Sequence, residues 1–173
     1  MTAMGRPRVG IVMGSDSDLE VLRETIKVLD DLGIPHEVVV ASAHRTPEQT
    51  RRYATRAERR GIRVLIAGAG GAAALPGFLA SLTSLPIIGV PINSSPLNGL
   101  DALLSMAQMP KGVPVATVAV GRWGAANAGI LAAQILALSD GRVRKRLAAF
   151  RKAMAVEVQQ RSRRVAAQLK KRK

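Results

Sequence analysis

The chain has 173 residues, with 26 Lys+Arg against 12 Asp+Glu and a formal charge of +14. An apolar fraction of 47% and a mean hydropathy of +0.13 exclude a wholly disordered chain. The absence of cysteine excludes a disulfide scaffold, thiolate catalysis and thiolate metal sites, and two histidines argue against a dedicated transition-metal site. The length fits one domain with a sizeable core. The start, Met1 to Arg8, has no apolar h-region, so no secretory signal is expected and the expected location is cytoplasmic. The charge is uneven: residues 142–173 carry 13 basic residues and one acid, Glu157, whereas residues 1–141 carry 13 basic and 11 acidic residues. Any contact with nucleic acid or another polyanion would therefore rest on the C-terminal segment.

In chain order, Arg8 to Met13 is a continuous apolar run closed by Gly14, as expected of a buried strand. Asp16 to Leu32 places Leu19, Leu22, Ile26 and Leu29 at helical spacing, with Gly33 just past the end. Glu37 to Val40 reads as a second strand. Pro47 to Arg60 reads as a helix with Thr46 as N-cap, Pro47 in its first turn and Gly61 as its stop. Val64–Ala67, Pro86–Val90 and Pro114–Val120 read as strands three to five, with helices at Pro76–Ser84 and Asn98–Gln108 between them. Ala125 to Leu138 is apolar around its whole circumference, which predicts burial on every side. Gly141 to about Gln168 is an amphipathic helix whose stripe is Val143, Leu147, Phe150, Met154 and Val158.

Two stretches, Val64–Leu100 and Trp123–Ser139, contain no charged residue. The first is cut by Pro76, Pro86, Pro91, Pro96 and many glycines, and the second is 17 residues long with Asn127 and Gln134 inside it, so both read as protein interior rather than membrane. Alternating strands and helices imply a single doubly wound, three-layer α/β domain with a five-stranded parallel sheet, flavodoxin- or Rossmann-like, plus the C-terminal amphipathic helix. The domain is expected over residues 1–155, with 156–173 forming the end of that helix and a basic tail. An all-apolar helix followed by a striped one predicts burial against neighbouring subunits, and hence a homo-oligomer.

Ligands of open parallel sheets bind outside the carboxyl ends of the strands, which directs attention to four loops. Gly14-Ser-Asp-Ser-Asp18 follows strand one, Ala41-Ser-Ala-His-Arg-Thr-Pro47 strand two, Gly68 to Gly77 strand three, and Pro91-Ile-Asn-Ser-Ser95 strand four. His44 and Arg45 stand side by side in the second: an imidazole gives and takes a proton near neutrality, and a guanidinium grips phosphate bidentately. His36 lies outside these loops and reads as structural. Ser15, Ser17 and Asp18 fit helix caps, but a helix start is also an anion site, and Asp18 fits an acceptor for ribose hydroxyls. Gly68-x-Gly70-x-x-Ala73 matches the dinucleotide fingerprint literally, but it follows the third strand and lacks an acid about 20 residues on. Its remaining content is close backbone approach to a ligand, or tight packing.

Taken together, the strings Val12–Asp18, Ser42-Ala-His-Arg-Thr-Pro47, Ala67–Ala73, Gly89-Val-Pro91, Gln108-Met-Pro110, Gly112-x-Pro114-Val115, Ala125–Ala128 and Leu131–Leu136 resemble those of the N5-carboxyaminoimidazole ribonucleotide mutases, the catalytic subunit of phosphoribosylaminoimidazole carboxylase in purine synthesis. The resemblance covers about residues 8 to 155. It is to the bacterial mutase class more than the animal-type carboxylase, whose loop usually has Lys where Arg45 stands. It implies movement of a carboxylate from the exocyclic nitrogen to C4 of the imidazole ribonucleotide, with no metal, ATP or organic cofactor. It also implies His44 as the acid/base, Ser15, Asp18 and Arg45 as holders of ribose and phosphate, and Ser42, Gly70 and Gly71 as the wall of the base and carboxylate pocket. The expected partners are a ribonucleotide substrate and further copies of the chain, assembled as octamers. The sequence departs from the family's pattern at Ala74, where a second histidine is usual, and in its basic C-terminal extension. Two other readings stand beside the mutase: an aminoimidazole ribonucleotide carboxylase using free CO2, and a polyanion-binding module led by the basic tail.

Overall fold

The computed structural model describes residues 5–170, in which five strands form one parallel sheet and six helices flank or follow it. In chain order the elements are β1 (Val9–Met13), α1 (Leu19–Asp31), β2 (His36–Val40), α2 (Pro47–Ala57), β3 (Val64–Gly70), α3 (Ala74–Ala80), β4 (Ile87–Ile92), α4 (Leu100–Ala107), β5 (Ala116–Thr117), α5 (Gly121–Ala137) and α6 (Gly141–Lys170). Short 3-10 turns precede α1 at Asp16–Asp18 and extend α2 over Glu58–Arg60. The strand order is β2-β1-β3-β4-β5. The expected doubly wound α/β domain with a five-stranded parallel sheet is therefore present.

The sheet is covered on both faces. Val9, Ile11 and Met13 of β1, Val64 and Ile66 of β3, and Ile88 and Val90 of β4 pack against α1, α5 and the base of α6. Val12, Leu65, Ala67 and Ile87, pointing the other way, pack against α2, α3 and α4. Burial on both faces is why β1, β3 and β4 read as continuous apolar runs rather than alternating ones. β2 is one of the two edge strands, with Val38 and Val40 exposed. On the first face α1 and α5 approach closely at Gly129, where an added Cβ would stand 3.0 Å from Val28. The Thr25 hydroxyl also donates to the Ala125 carbonyl there, at 2.6 Å.

Several element bounds differ from the sequence expectation. β3 runs on through Gly68 and Gly70, and β4 through Pro91 to Ile92. A Cβ at Gly68 would lie 2.9 Å from Leu22, so the glycines of the fingerprint-like string serve strand packing. Pro91 is tolerated because β5 pairs only with Ile88 and Gly89, leaving no partner for a donor on that side. β5 itself is two residues rather than seven, since the chain leaves the edge after Thr117 to enter α5. α5 starts at Gly121, four residues before the apolar run. Gly124 is required within it, because a Cβ there would collide with the Ala119 carbonyl. Within the chain α5 is buried on one side only: Trp123 is 85% exposed, while Ala125, Ala128, Ala132 and Ala133 are buried. Thr46 does not cap α2 with its side chain; its hydroxyl accepts the Ser42 N–H at 3.0 Å and donates to the Ser42 carbonyl.

The base of α6 is latched to the rest of the fold. The Asp140 carboxylate accepts the N–H groups of Arg142 (2.9 Å) and Val143 (3.3 Å) and pairs with Arg8 at 2.5 Å. The guanidinium of Arg144 donates to the carbonyls of Ala137 and Leu138 at the end of α5, and that of Arg146 to Leu32 and Gly33 at the end of α1. These arginines satisfy helix C-terminal carbonyls that lack intrahelical partners. Val143 and Leu147 are buried, but every residue from Arg151 to Leu169 is exposed. Among the described residues no helix is long and apolar enough to cross a membrane.

Candidate active site

The order β2-β1-β3-β4-β5 reverses direction between β1 and β3, and a cleft outside the carboxyl ends of strands at that point is where such sheets bind ligands. A cavity of 420 Å³ opens there. Gly14, Ser15, Ser17 and Asp18 form its wall after β1, and Ser42, Ala43, His44 and Arg45 its wall after β2. Ala69 and Gly70 at the end of β3, Ala72 to Leu75 leading into α3, and Ser94 after β4 complete it. Of the site residues expected from sequence, Ser15, Asp18, Ser42, His44, Arg45 and Gly70 all line this one cavity; Gly71 does not. Gly71 has φ +60°, and its role in the fold is to turn the chain out of β3.

The first wall is held by its own side chains. Ser15 accepts the Ser17 N–H and hydroxyl, and the Asp18 carboxylate accepts the Ser15 N–H at 3.2 Å. Ser15 and Asp18 are thus a reciprocal capping pair, and both face the cavity as well, so the cap and site interpretations of these residues are compatible. Burial pushes the Asp18 carboxyl above its ordinary range, against the opposing pull of the Ser15 and Gly14 amides and of Arg45.

The second wall is a turn closed on itself: the Thr46 N–H donates to the Ser42 carbonyl at 2.9 Å, and the Arg45 N–H to the Ser42 hydroxyl at 3.2 Å. The Arg45 guanidinium crosses to the first wall and donates to the Gly14 carbonyl at 2.8 Å. Arg45 also borders a second hollow of 410 Å³ lined by Asp16, Val40, Thr46 and Gln49, so one cation borders both spaces. His44 is exposed at the rim, and among the described residues its ring has no hydrogen-bond partner, which leaves both nitrogens available to a ligand. His36 is different: its Nδ1 lies 3.0 Å from the Ile34 carbonyl and its side chain is almost fully covered, as a structural histidine should be.

Ser94 and Ala43, which the sequence placed in the site loops without singling them out, also line the cavity. A Cβ on Gly70 would fall 1.8 Å from the Ser94 hydroxyl oxygen, so a glycine is needed at the end of β3 for Ser94 to reach the cavity. Its signal was its place in the loop directly after strand four. The Ser105 hydroxyl of α4 holds the glycine-rich wall from behind, donating to the Ala72 carbonyl at 2.6 Å. A larger hollow of 610 Å³ adjoins through Ser17 and Ser94, with Asn93, Arg122 and Trp123 on its far side. It contains neither His44 nor Arg45. His44 and Arg45 both line the smaller cavity.

Fold and cleft define a flavodoxin-like α/β protein with a cavity lined by polar side chains at the β1/β3 switch point. The AIR carboxylase family model matches residues 8–157. The chain is 53% identical over 160 residues to the N5-carboxyaminoimidazole ribonucleotide mutase of Pyrococcus horikoshii, covering 92% of this chain and 89% of the relative. It is 56% identical over 142 residues to the Bacillus subtilis protein of the same name, covering 82% and 88%. A crystal structure of Treponema denticola PurE superposes with a TM-score of 0.81 at 29% identity, over 90% of this chain and 96% of that one. The chain belongs to the AIR carboxylase family.

Proposed function

We propose that the chain is an N5-carboxyaminoimidazole ribonucleotide mutase, an isomerase of purine biosynthesis that moves a carboxylate from the exocyclic nitrogen to C4 of the imidazole ribonucleotide. The observation that carries this reading is the convergence of His44 and Arg45 on one cavity with Ser15, Asp18, Ser42, Gly70 and Ser94, in a chain more than half identical to curated mutases. In this reading Arg45 grips the phosphate by charge-assisted hydrogen bonds, and the Ser15–Asp18 pair holds the ribose hydroxyls. CO2 leaves the exocyclic nitrogen as His44 delivers a proton to it. The trapped CO2 then bonds to C4, and His44 takes the C4 proton, ending as it began. The wall of Gly70 and Ala72 to Leu75 supplies a dry lining that keeps CO2 from escaping before recapture. No metal, ATP or organic cofactor enters this scheme.

The exposed apolar side chains Trp123, Leu138, Leu100 and Leu104 support assembly with further copies, an octamer by the family resemblance, because monomers rarely leave such surface in water. The substrate is soluble and charged, in keeping with work in the cytoplasm. One alternative has a specific basis: the matching family model is described as a carboxylase, whose members would fix free CO2 onto aminoimidazole ribonucleotide at the same site. Supplying N5-carboxyaminoimidazole ribonucleotide, and separately aminoimidazole ribonucleotide with bicarbonate, while following C4-carboxylated product, separates the two. The mutase converts the first without added bicarbonate. Product formed only from the second would overturn the mutase in favour of the carboxylase.

A further inference from the structure

We infer that α6 beyond its anchored base is a docking element for double-stranded nucleic acid, which it holds through the phosphate backbone. At 100° per residue, Lys145, Lys152 and Arg163 fall within about 20° of one another on the helix, and Arg164 lies about 100° further round. Lys145 and Arg163 are 18 residues apart, so the basic face extends about 27 Å, most of one duplex turn. All four residues are exposed. Among the described residues none of the four has an ion-pair partner; the one acid of the helix, Glu157, is engaged by Arg161 at 2.5 Å. Arg144 and Arg146 are spent on the carbonyls at the ends of α5 and α1, which fixes the direction in which the helix leaves the domain. Arg163 and Arg164 also lie past residue 157, where the match to the family model ends, so the catalytic fold does not account for them.

The chemistry of the segment selects among partners. Of its exposed apolar residues, Met154, Val158, Val165 and Leu169 lie on the side opposite the basic face, with Arg151 among them, and Val156 stands within that face. These apolar residues include no aromatic one, a poor match to the Trp/Phe/Leu-rich face of a helix that lies in a lipid interface. No aromatic residue follows Phe150, so there is nothing on which single-stranded bases can stack. Pairing with the same helix of a second copy would set five basic residues per helix over 151–169 against five more, with one acid each. What remains is a row of cations at the spacing of a helix edge, suited to displacing counterions from a densely charged duplex without reading its sequence.

The test uses the full chain and a fluorescent mixed-sequence DNA duplex of about 30 base pairs, with anisotropy measured from roughly 50 to 200 mM salt. The intact protein binds the duplex with an affinity that falls steeply as salt rises. In the triple variant Lys152→Gln, Arg163→Gln, Arg164→Gln the slope of log K against log salt shrinks by about 2.7, at about 0.9 per lost contact, while turnover and oligomeric mass stay as in the parent. Absence of duplex binding at the lowest salt, or an unchanged slope in the variant, overturns the inference. So does binding to phosphatidylserine vesicles without binding to duplex, which assigns the helix to a membrane surface. A change of oligomeric mass in the variant assigns the basic face to a subunit contact and overturns it equally.

Discussion

The loops above the sheet and the helix that closes the chain use charge in opposite ways. In the His44 cavity one guanidinium, Arg45, is fixed by a turn that closes from Ser42 to Thr46, and it also borders a second hollow. Along α6 there are many cations: Arg144 and Arg146 at its base are held by backbone carbonyls of α5 and α1, whereas Lys145, Lys152, Arg163 and Arg164 are exposed and have no ion-pair partner among the described residues. Thirteen of the 26 basic residues lie beyond residue 141, yet none of the side chains lining the His44 cavity comes from there. Charge is therefore concentrated away from the cavity, whereas the cation that lines it is already held at a fixed point, and such a cation gives up little freedom on binding.

This contrast is broken most severely at Arg45. Arg45→Ala should raise the dissociation constant for phosphorylated ligand about ten- to hundredfold, the equivalent of roughly 1.5–3 kcal/mol for a charge-assisted hydrogen bond, as read by calorimetry. An equal loss from a change at Arg163 would erase the distinction between the two regions. Next in size is Asp140→Ala, which should lower Tm by about 2–4 °C through loss of the α6 cap, with ligand affinity unchanged. The amides of Arg142 and Val143, then Arg8, hold the Asp140 carboxyl below its ordinary value of 3.8. Its contribution is present above that value and lost as pH falls through the depressed one. A thermal-melt series in acid should show the parent converging on the variant.

Asp18 is the opposite case and the smallest effect. Burial raises its pKa above 3.8, so the folded state disfavours the ionised form, and stability falls as pH rises from the ordinary value through the raised one. Asp18→Asn should raise Tm at neutral pH by about 1–2 °C while weakening ligand binding, the trade expected where a site is kept at some cost to the fold. A lowered Tm at neutral pH would show that the capping hydrogen bond to Ser15 outweighs the burial of charge.

The architecture was legible because its signals were local. Continuous apolar runs gave β1 and the start of β3, and Gly33 beyond Leu32 gave the end of α1. What was misjudged depended on neighbours distant in sequence. Gly68 and Gly70 looked like loop because glycine usually ends a strand, whereas Leu22 and Ser94 are what require them inside β3. Pro91 seemed to end β4, although only the shortness of β5 decides whether a proline is tolerated there. The position of the cavity was legible from the loops after the strands, and the loop with the most unusual chemistry, at His44 and Arg45, lines it. Gly71 is not among the residues lining the cavity, and Ser94, a common residue type that its loop alone did not single out, is brought to it by the register of β3 and β4.

The central claim is that the His44 imidazole carries the proton between the exocyclic nitrogen and C4, and the most direct test is His44→Asn assayed for both turnover and binding of N5-carboxyaminoimidazole ribonucleotide. The predicted result is a fall in kcat of about 10²–10⁴-fold, the range for loss of a general acid/base, with a dissociation constant close to that of the parent because Arg45 and the Ser15–Asp18 pair remain. A variant that turns over at nearly the parental rate would contradict the account.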